Sequence, residues 1–132
     1  PHLADALCGY ADALVHASRP DDGLRKIIKA ISLNPMPPDD YRWIAAGASY
    51  FLGNFSGAIS HIESMEDRSS ARRLLAASYA MAGDMQRARM HRRKAQELNP
   101  LFELEKWLSI LPVREQWHKD LYREGLMKAG FQ

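Results

Sequence analysis

Small residues recur at a fixed spacing in three successive stretches of the chain, and this repetition constrains the fold more than any other feature. Each stretch has a small anchor residue followed five positions later by a second small residue: Ser18 and Gly23, Gly53 and Ala58, Gly83 and Ala88. An alanine also stands seven positions before each anchor, at Ala11, Ala46 and Ala76. Because Ala and Gly allow two helices to cross closely, the ladder predicts three helix-turn-helix units.

Helix-ending signals mark the borders of these units. The phrase Leu-Asn-Pro closes the first and third units, at Pro35 and Pro100, and proline disfavours a helical conformation in the residue before it. The second unit lacks this ending, so its second helix is expected to be about one turn shorter. The signals predict helices at about 3–17, 20–34, 39–52, 55–65, 69–82 and 85–98.

The spacing and the residues that carry it resemble the tetratricopeptide repeat family. The resemblance is clearest in the third unit, through Leu75-Ala76, Tyr79, Gly83-Asp84, Ala88, Ala95 and Leu98-Asn99-Pro100. It implies an all-α fold, in which three helix-turn-helix repeats at about 4–38, 39–68 and 69–100 form a right-handed α-α superhelix. Capping helices at about 101–132 would complete a single domain over residues 1–132.

Two further helices are predicted after the third unit, at residues 101–111 and 114–129, separated by Pro112. We expect them to cap the apolar face of the last repeat, with Trp117, Leu121 and Leu126 buried against it. The alternative is that residues 117–131 enter the concave groove or bridge to a neighbouring segment. In that case Trp107 and Trp117 would be interaction anchors.

The tail is similar to that of a more particular group of proteins. Residues 110–113 and 121–130 resemble the C-termini of bacterial, especially rhizobial, proteins in which tetratricopeptide repeats follow a class III adenylate or guanylate cyclase domain. Because the chain begins at Pro1, we expect a fragment of a larger signalling protein. Related repeats also follow winged-helix transcriptional regulators, so a regulatory or dimerisation appendage of such a regulator is the alternative.

Composition and motifs argue against several functional classes. Cys8 is the only cysteine, which excludes an internal disulfide and fits a reducing, cytoplasmic compartment. The five histidines form no helical metal-binding pair, and the glycines form no phosphate-binding loop. The longest apolar stretches have about ten residues, too few to span a bilayer. We therefore expect no catalytic residues, no metal, no cofactor, no membrane segment and no enzymatic activity.

Candidate binding residues follow from the resemblance, because in this family the first helix of each repeat lines the concave groove. Projection from the three ladder alanines places four small residues there, Cys8, Gly47, Ala77 and Ala80, together with eight candidate binding residues: Asp12, Val15, His16, Trp43, Tyr50, Phe51, Arg73 and Met81. The aromatic centre of this set has the composition of a binding hot spot. Packing in the interhelical core is the alternative for Trp43 and Tyr50.

A local excess of positive charge accompanies this projected groove. Residues 68–94 contain eight Lys or Arg and a single acid, Asp84, although the whole chain carries a formal charge of only +2. A solvated helix face is one explanation, and an acidic partner is another. No nucleic acid is expected, because no aromatic residues interleave with these charges for base stacking. The predicted function is therefore non-catalytic binding of a protein or peptide, with an acidic partner favoured and a homodimer left open.

Overall fold

The computed structural model describes residues 2–132, which contain helices and no β-strand, so the predicted all-α class is confirmed. Three consecutive helix pairs come first: α1 (His2–His16) with α2 (Pro20–Leu33), α3 (Asp39–Phe51) with α4 (Phe55–Glu63), and α5 (Arg72–Met81) with α6 (Met85–Leu98). A short 3-10 turn, Ser69–Ala71, precedes α5. The chain ends with α7 (Leu104–Ile110) and α8 (Gln116–Ala129). As expected, α4 is shorter than α2 and α6.

The turn inside each pair has the same hydrogen-bonded geometry, and the anchor residue is its left-handed position. The φ angles are 61° at Ser18, 80° at Gly53 and 90° at Gly83. In the second turn, the Gly53 N–H donates to the Tyr50 carbonyl at 2.9 Å, and the Asn54 N–H donates to the Ser49 carbonyl at 2.9 Å. The same two bonds close the first and third turns. This is the Schellman arrangement, which needs a residue that tolerates positive φ.

The small residues of the ladder are buried within the helix pairs, and at Gly23 the two helices of the first pair are in close contact. The six positions in the helices are all buried: Ala11, Gly23, Ala46, Ala58, Ala76 and Ala88. At Gly23 an added Cβ would lie 2.7 Å from a Val15 methyl group and 3.1 Å from the Ala11 carbonyl oxygen. Hydrogen is therefore the only side chain that α1 and α2 accommodate there without a shift.

Consecutive pairs also pack on one another, through α2 with α3 and α4 with α5. One apolar cluster joins the first pair to the start of α3, around Ile27 and Tyr41. A larger cluster joins the second and third pairs to the C-terminal helices, around Tyr50, Leu75 and Leu126. The chain thus builds its core in sequence order, each pair covering part of the one before it.

The C-terminal helix α8 packs mainly against α5 and also reaches α3, α6 and α7. Leu126 is completely buried and Leu121 half-buried, as expected for a helix that covers the third pair. The expectation that Trp117 is buried there is wrong, because 42% of Trp117 is exposed. Since α3 and α5 are both first helices of their pairs, α8 also occupies the face that sequence reasoning assigned to a groove.

Candidate functional site

Helix α8 covers Tyr50, the central aromatic residue of the projected site. The Tyr50 hydroxyl donates to the Leu121 carbonyl at 2.7 Å, and the Tyr50 side chain is completely buried. Gly125 makes this approach possible, since an added Cβ would overlap the Tyr50 hydroxyl and lie 3.0 Å from the Ala77 Cβ. Burial raises the pKa of Tyr50 above its ordinary value. Tyr50 therefore works as a core residue while α8 is in place.

Phe51, next in sequence, packs against aromatic rings from the C-terminal part of the chain. Its ring centroid lies 3.7 Å from that of His118 and 5.7 Å from that of Tyr122. The Tyr122 ring in turn lies 5.3 Å from Trp107, edge to face. These contacts connect α3 to both C-terminal helices. Helices α7 and α8 therefore form a wall opposite α3.

Arg73 is enclosed by aromatic rings from the C-terminal part of the chain. Its guanidinium carbon lies 4.5 Å from the Phe102 ring centroid and 5.2 Å from that of Trp107. Such cation–π contacts stabilise a positive charge that has lost part of its hydration. Arg73 is half-buried here and does not line the open groove.

The segment between α7 and α8 crosses back to the turn of the first pair. The Arg114 N–H donates to the His16 carbonyl at 3.0 Å, and the Glu115 N–H donates to the Ser18 hydroxyl oxygen at 3.0 Å. The Ser18 hydroxyl lies 3.3 Å from His118 Nδ1. Because the hydroxyl oxygen already accepts one bond, its hydrogen is available for a neutral His118 ring. Burial lowers the pKa of His118 to about 4, and nearby His16 acts in the same direction.

A groove of about 410 Å³ remains between the first helices and this C-terminal wall. The projected Gly47 lines it, as do five of the eight candidate binding residues: Asp12, Val15, His16, Trp43 and Phe51. Tyr50 and Arg73 lie behind the wall, and Met81 is half-buried against the large apolar cluster. The projection from first helices therefore finds the α1 and α3 side of the groove and fails where α8 covers it.

Sequence reasoning missed most of the opposite wall. The lining residues that were not projected are Asp40, Ile44 and Leu74 from α3 and α5, and Trp107, Leu111, Val113, His118 and Tyr122 from the C-terminal part. A signal was present in the aromatic stripe of α8, since entry of residues 117–131 into the groove was the stated alternative. Local sequence does not favour entry into the groove over capping of the third pair, because the difference between the two arrangements depends on contacts with α3.

The charged groups that line the groove are acidic. Asp12 and Asp40 both line it, and the described residues contribute no Lys or Arg to its walls. His16 Nδ1 lies 3.3 Å from the Asp12 carboxylate and 2.8 Å from the Asp12 carbonyl oxygen. Burial raises the pKa of the neighbouring Cys8 thiol to about 11, with Asp40, Asp12 and Asp5 adding to the effect. Negative charge thus accumulates on the α1 and α3 side.

Several basic side chains at residues 68–94 contact partners within the same chain. Arg68 pairs with Glu63 at 3.2 Å and Arg87 pairs with Asp84 at 2.7 Å, while Arg72 lies 3.0 Å from His91 Nδ1. The remaining exposed cations are on α6, at Arg89, Arg93 and Lys94, where the described chain offers them no ion pair. They lie outside the groove.

No protein-family model matches this sequence, and comparison with the curated proteins finds no similar sequence. Within residues 2–132 there is no cluster of three or more His, Cys, Asp or Glu side chains suited to a metal ion. No helix in the described part of the chain is long and apolar enough to cross a bilayer. The resemblance to tetratricopeptide repeats thus rests on the repeated spacing of small residues, and the groove is the feature that indicates a function.

Proposed function

We propose that the chain is a non-catalytic protein–protein interaction module of tetratricopeptide type. In this proposal the three helix pairs form a right-handed superhelix, and the groove binds an extended peptide segment of a partner. The observation that carries the proposal is the open aromatic groove of about 410 Å³ beside Trp43. The three equivalent turns and the buried ladder of small residues support the repeat assignment.

The composition of the groove suits a binding surface. Trp43 is 42% exposed although it stands in the middle of a helix whose other large residues are mostly covered. Tryptophan is enriched among the residues that dominate binding energy, particularly where neighbouring side chains exclude water. Phe51 and Trp107 supply such neighbours. A space of this size accepts two or three peptide side chains, whereas a folded domain would need a larger and flatter surface.

The tail resemblance supports a place for this module in a larger bacterial signalling protein, such as one with an adenylate or guanylate cyclase domain. Chemistry would then belong to the other domain, and this module would supply a contact that regulates it or brings a partner to it. The exposed cations on α6 offer a separate surface for an acidic protein. Arg73, enclosed between two rings, has no direct part in that surface.

A selection of displayed random peptides tests the binding role of the groove. Wild type and Trp43→Ala would each be immobilised, with Tyr10→Ala as the matched control, since Tyr10 is 53% exposed on α1 and lies outside the groove. We expect peptides that bind wild type and Tyr10→Ala but not Trp43→Ala, with folding of all three confirmed by circular dichroism. If no recovered peptide distinguishes Trp43→Ala from Tyr10→Ala, the groove is not the binding surface.

A further inference from the structure

We propose that the groove selects a positively charged side chain, so that the peptide it binds carries a Lys or Arg held by Asp12, Asp40 and the aromatic wall. This inference rests on the proposed function and names the chemistry of the ligand. It reverses the expectation of an acidic partner for this surface, because the basic residue projected into the groove, Arg73, is not among the residues that line it.

Charge complementarity is the first argument. With histidine counted as neutral, the groove walls carry two negative charges, from Asp12 and Asp40, and no positive charge from the described residues. Both carboxylates belong to exposed residues, so a ligand can reach them. Neither forms an ion pair with a described Lys or Arg; Asp12 has only the His16 ring at 3.3 Å. A guest cation would therefore gain two carboxylates that no Lys or Arg side chain already occupies.

Aromatic chemistry is the second argument. The wall includes Trp43, Phe51, Trp107 and Tyr122, and the face of an aromatic ring attracts a cation within about 6 Å of its centroid. The same chain already uses this mode at Arg73, whose guanidinium lies 5.2 Å from the Trp107 centroid. Carboxylates and aromatic rings that line the same groove favour an ammonium or guanidinium over a neutral apolar group, because only a cation gains from both.

The same geometry disfavours an acidic or phosphorylated peptide in the groove. A carboxylate or phosphate bound there would lie beside Asp12 and Asp40 with no Lys or Arg on the walls to offset the repulsion. The exposed cations of α6, Arg89, Arg93 and Lys94, belong to a different surface. An acidic ligand of this protein would therefore bind α6 and would be insensitive to changes in the groove.

The test uses the peptides recovered on wild type whose binding is lost on Trp43→Ala. We expect these peptides to share a Lys or Arg at one position. Replacing that residue of the peptide with Gln should raise the dissociation constant for wild type by about tenfold. The same replacement should have little effect with the variant Asp12→Asn/Asp40→Asn, whose affinity for the original peptide should already be lower by a similar factor. Asp21→Asn, an exposed acid on α2 outside the groove, is the matched control.

The outcomes separate the inference from the proposed function. Groove-dependent peptides that lack Lys and Arg, or that bind Asp12→Asn/Asp40→Asn as tightly as wild type, would overturn the charge selection and leave the binding role intact. Absence of any peptide that depends on Trp43 would overturn the binding role itself. Raising the salt concentration should weaken binding to wild type and to Asp21→Asn, and should affect the double variant much less.

Discussion

The hydroxyl of Tyr50 donates a hydrogen bond to the carbonyl of Leu121 at 2.7 Å, across 71 positions of sequence. This bond joins the second helix pair to α8, and Gly125, one turn further along α8, leaves the space in which the phenol lies. Together they explain why an aromatic residue on a first helix is buried instead of facing a partner. The C-terminal helix is thus part of the same core as the second and third helix pairs.

Substitution of Gly125 tests this close approach. Gly125→Ala should destabilise the protein by about 1–3 kcal/mol, because the new Cβ would overlap the Tyr50 hydroxyl. Gly9→Ala is the control: Gly9 is in α1 with nothing within 4 Å of an added Cβ, and alanine there should stabilise by about 0.5–1 kcal/mol. Urea denaturation measures both. Equal effects of the two substitutions would contradict the packing of α8 on Tyr50.

Removing the hydroxyl gives a second measurement at the same contact. Tyr50→Phe should cost about 1 kcal/mol through loss of the bond to Leu121. In the background of Tyr50→Phe, Gly125→Ala should cost less than it does alone, since the overlapping atom is gone while Ala77 still lies 3.0 Å away. Strict additivity of the two changes would show that Gly125 and Tyr50 are not in contact.

The helix crossing at Ala88 provides a test of the repeat geometry. Ala88 is completely buried on α6, so Ala88→Leu should overpack the α5–α6 contact and cost roughly 1–3 kcal/mol. Ala13→Leu, at an exposed position of α1, should change stability little. An unchanged denaturation midpoint for Ala88→Leu would remove this residue from the crossing and weaken the assignment of three equivalent pairs.

The helix pairs could be predicted from sequence because their signals are local. The anchor, the ladder alanine and the terminating proline lie within one unit, and each acts on the backbone next to it. Even Ser18, a non-glycine anchor, adopts a positive φ, as Gly53 and Gly83 do at the equivalent positions. The groove could be predicted only in part, because Trp107, His118 and Tyr122 reach it from the C-terminal part of the chain. Phe102 and Trp107, also distant in sequence, lie against Arg73, and a pattern confined to α5 cannot show these contacts.

Acid should weaken the protein through its two buried histidines. Burial lowers the pKa of His118 from 6.5 to about 4, and burial with nearby Arg72 lowers the pKa of His91 to about 4. The unfolded chain therefore binds more protons than the folded chain between about pH 6.5 and 4. Above this pH window, the two neutral rings should make their full contribution to the free energy of unfolding. Within the window, the free energy of unfolding should fall by up to about 1.4 kcal/mol per pH unit for each ring. His118→Gln should make this decline shallower, whereas the exposed His2→Gln should leave it unchanged. If the free energy of unfolding of wild type and of His118→Gln changed with pH in parallel, His118 would not be a source of the pH dependence.

Neighbouring residues of α8 allow its role in the core to be measured without deleting it. Leu126 is completely buried in the large apolar cluster, whereas 59% of Met127 is exposed. Leu126→Ala should cost about 2–5 kcal/mol, because it removes buried methyl groups and leaves a cavity, and Met127→Ala should cost well under 1 kcal/mol. If α8 detaches as a unit, Leu126→Ala should also uncover Tyr50, and hydrogen exchange in the C-terminal half of α3 should accelerate before global unfolding. Equal stability of the two variants, with unchanged exchange in α3, would mean that α8 is not held against the helix pairs in solution.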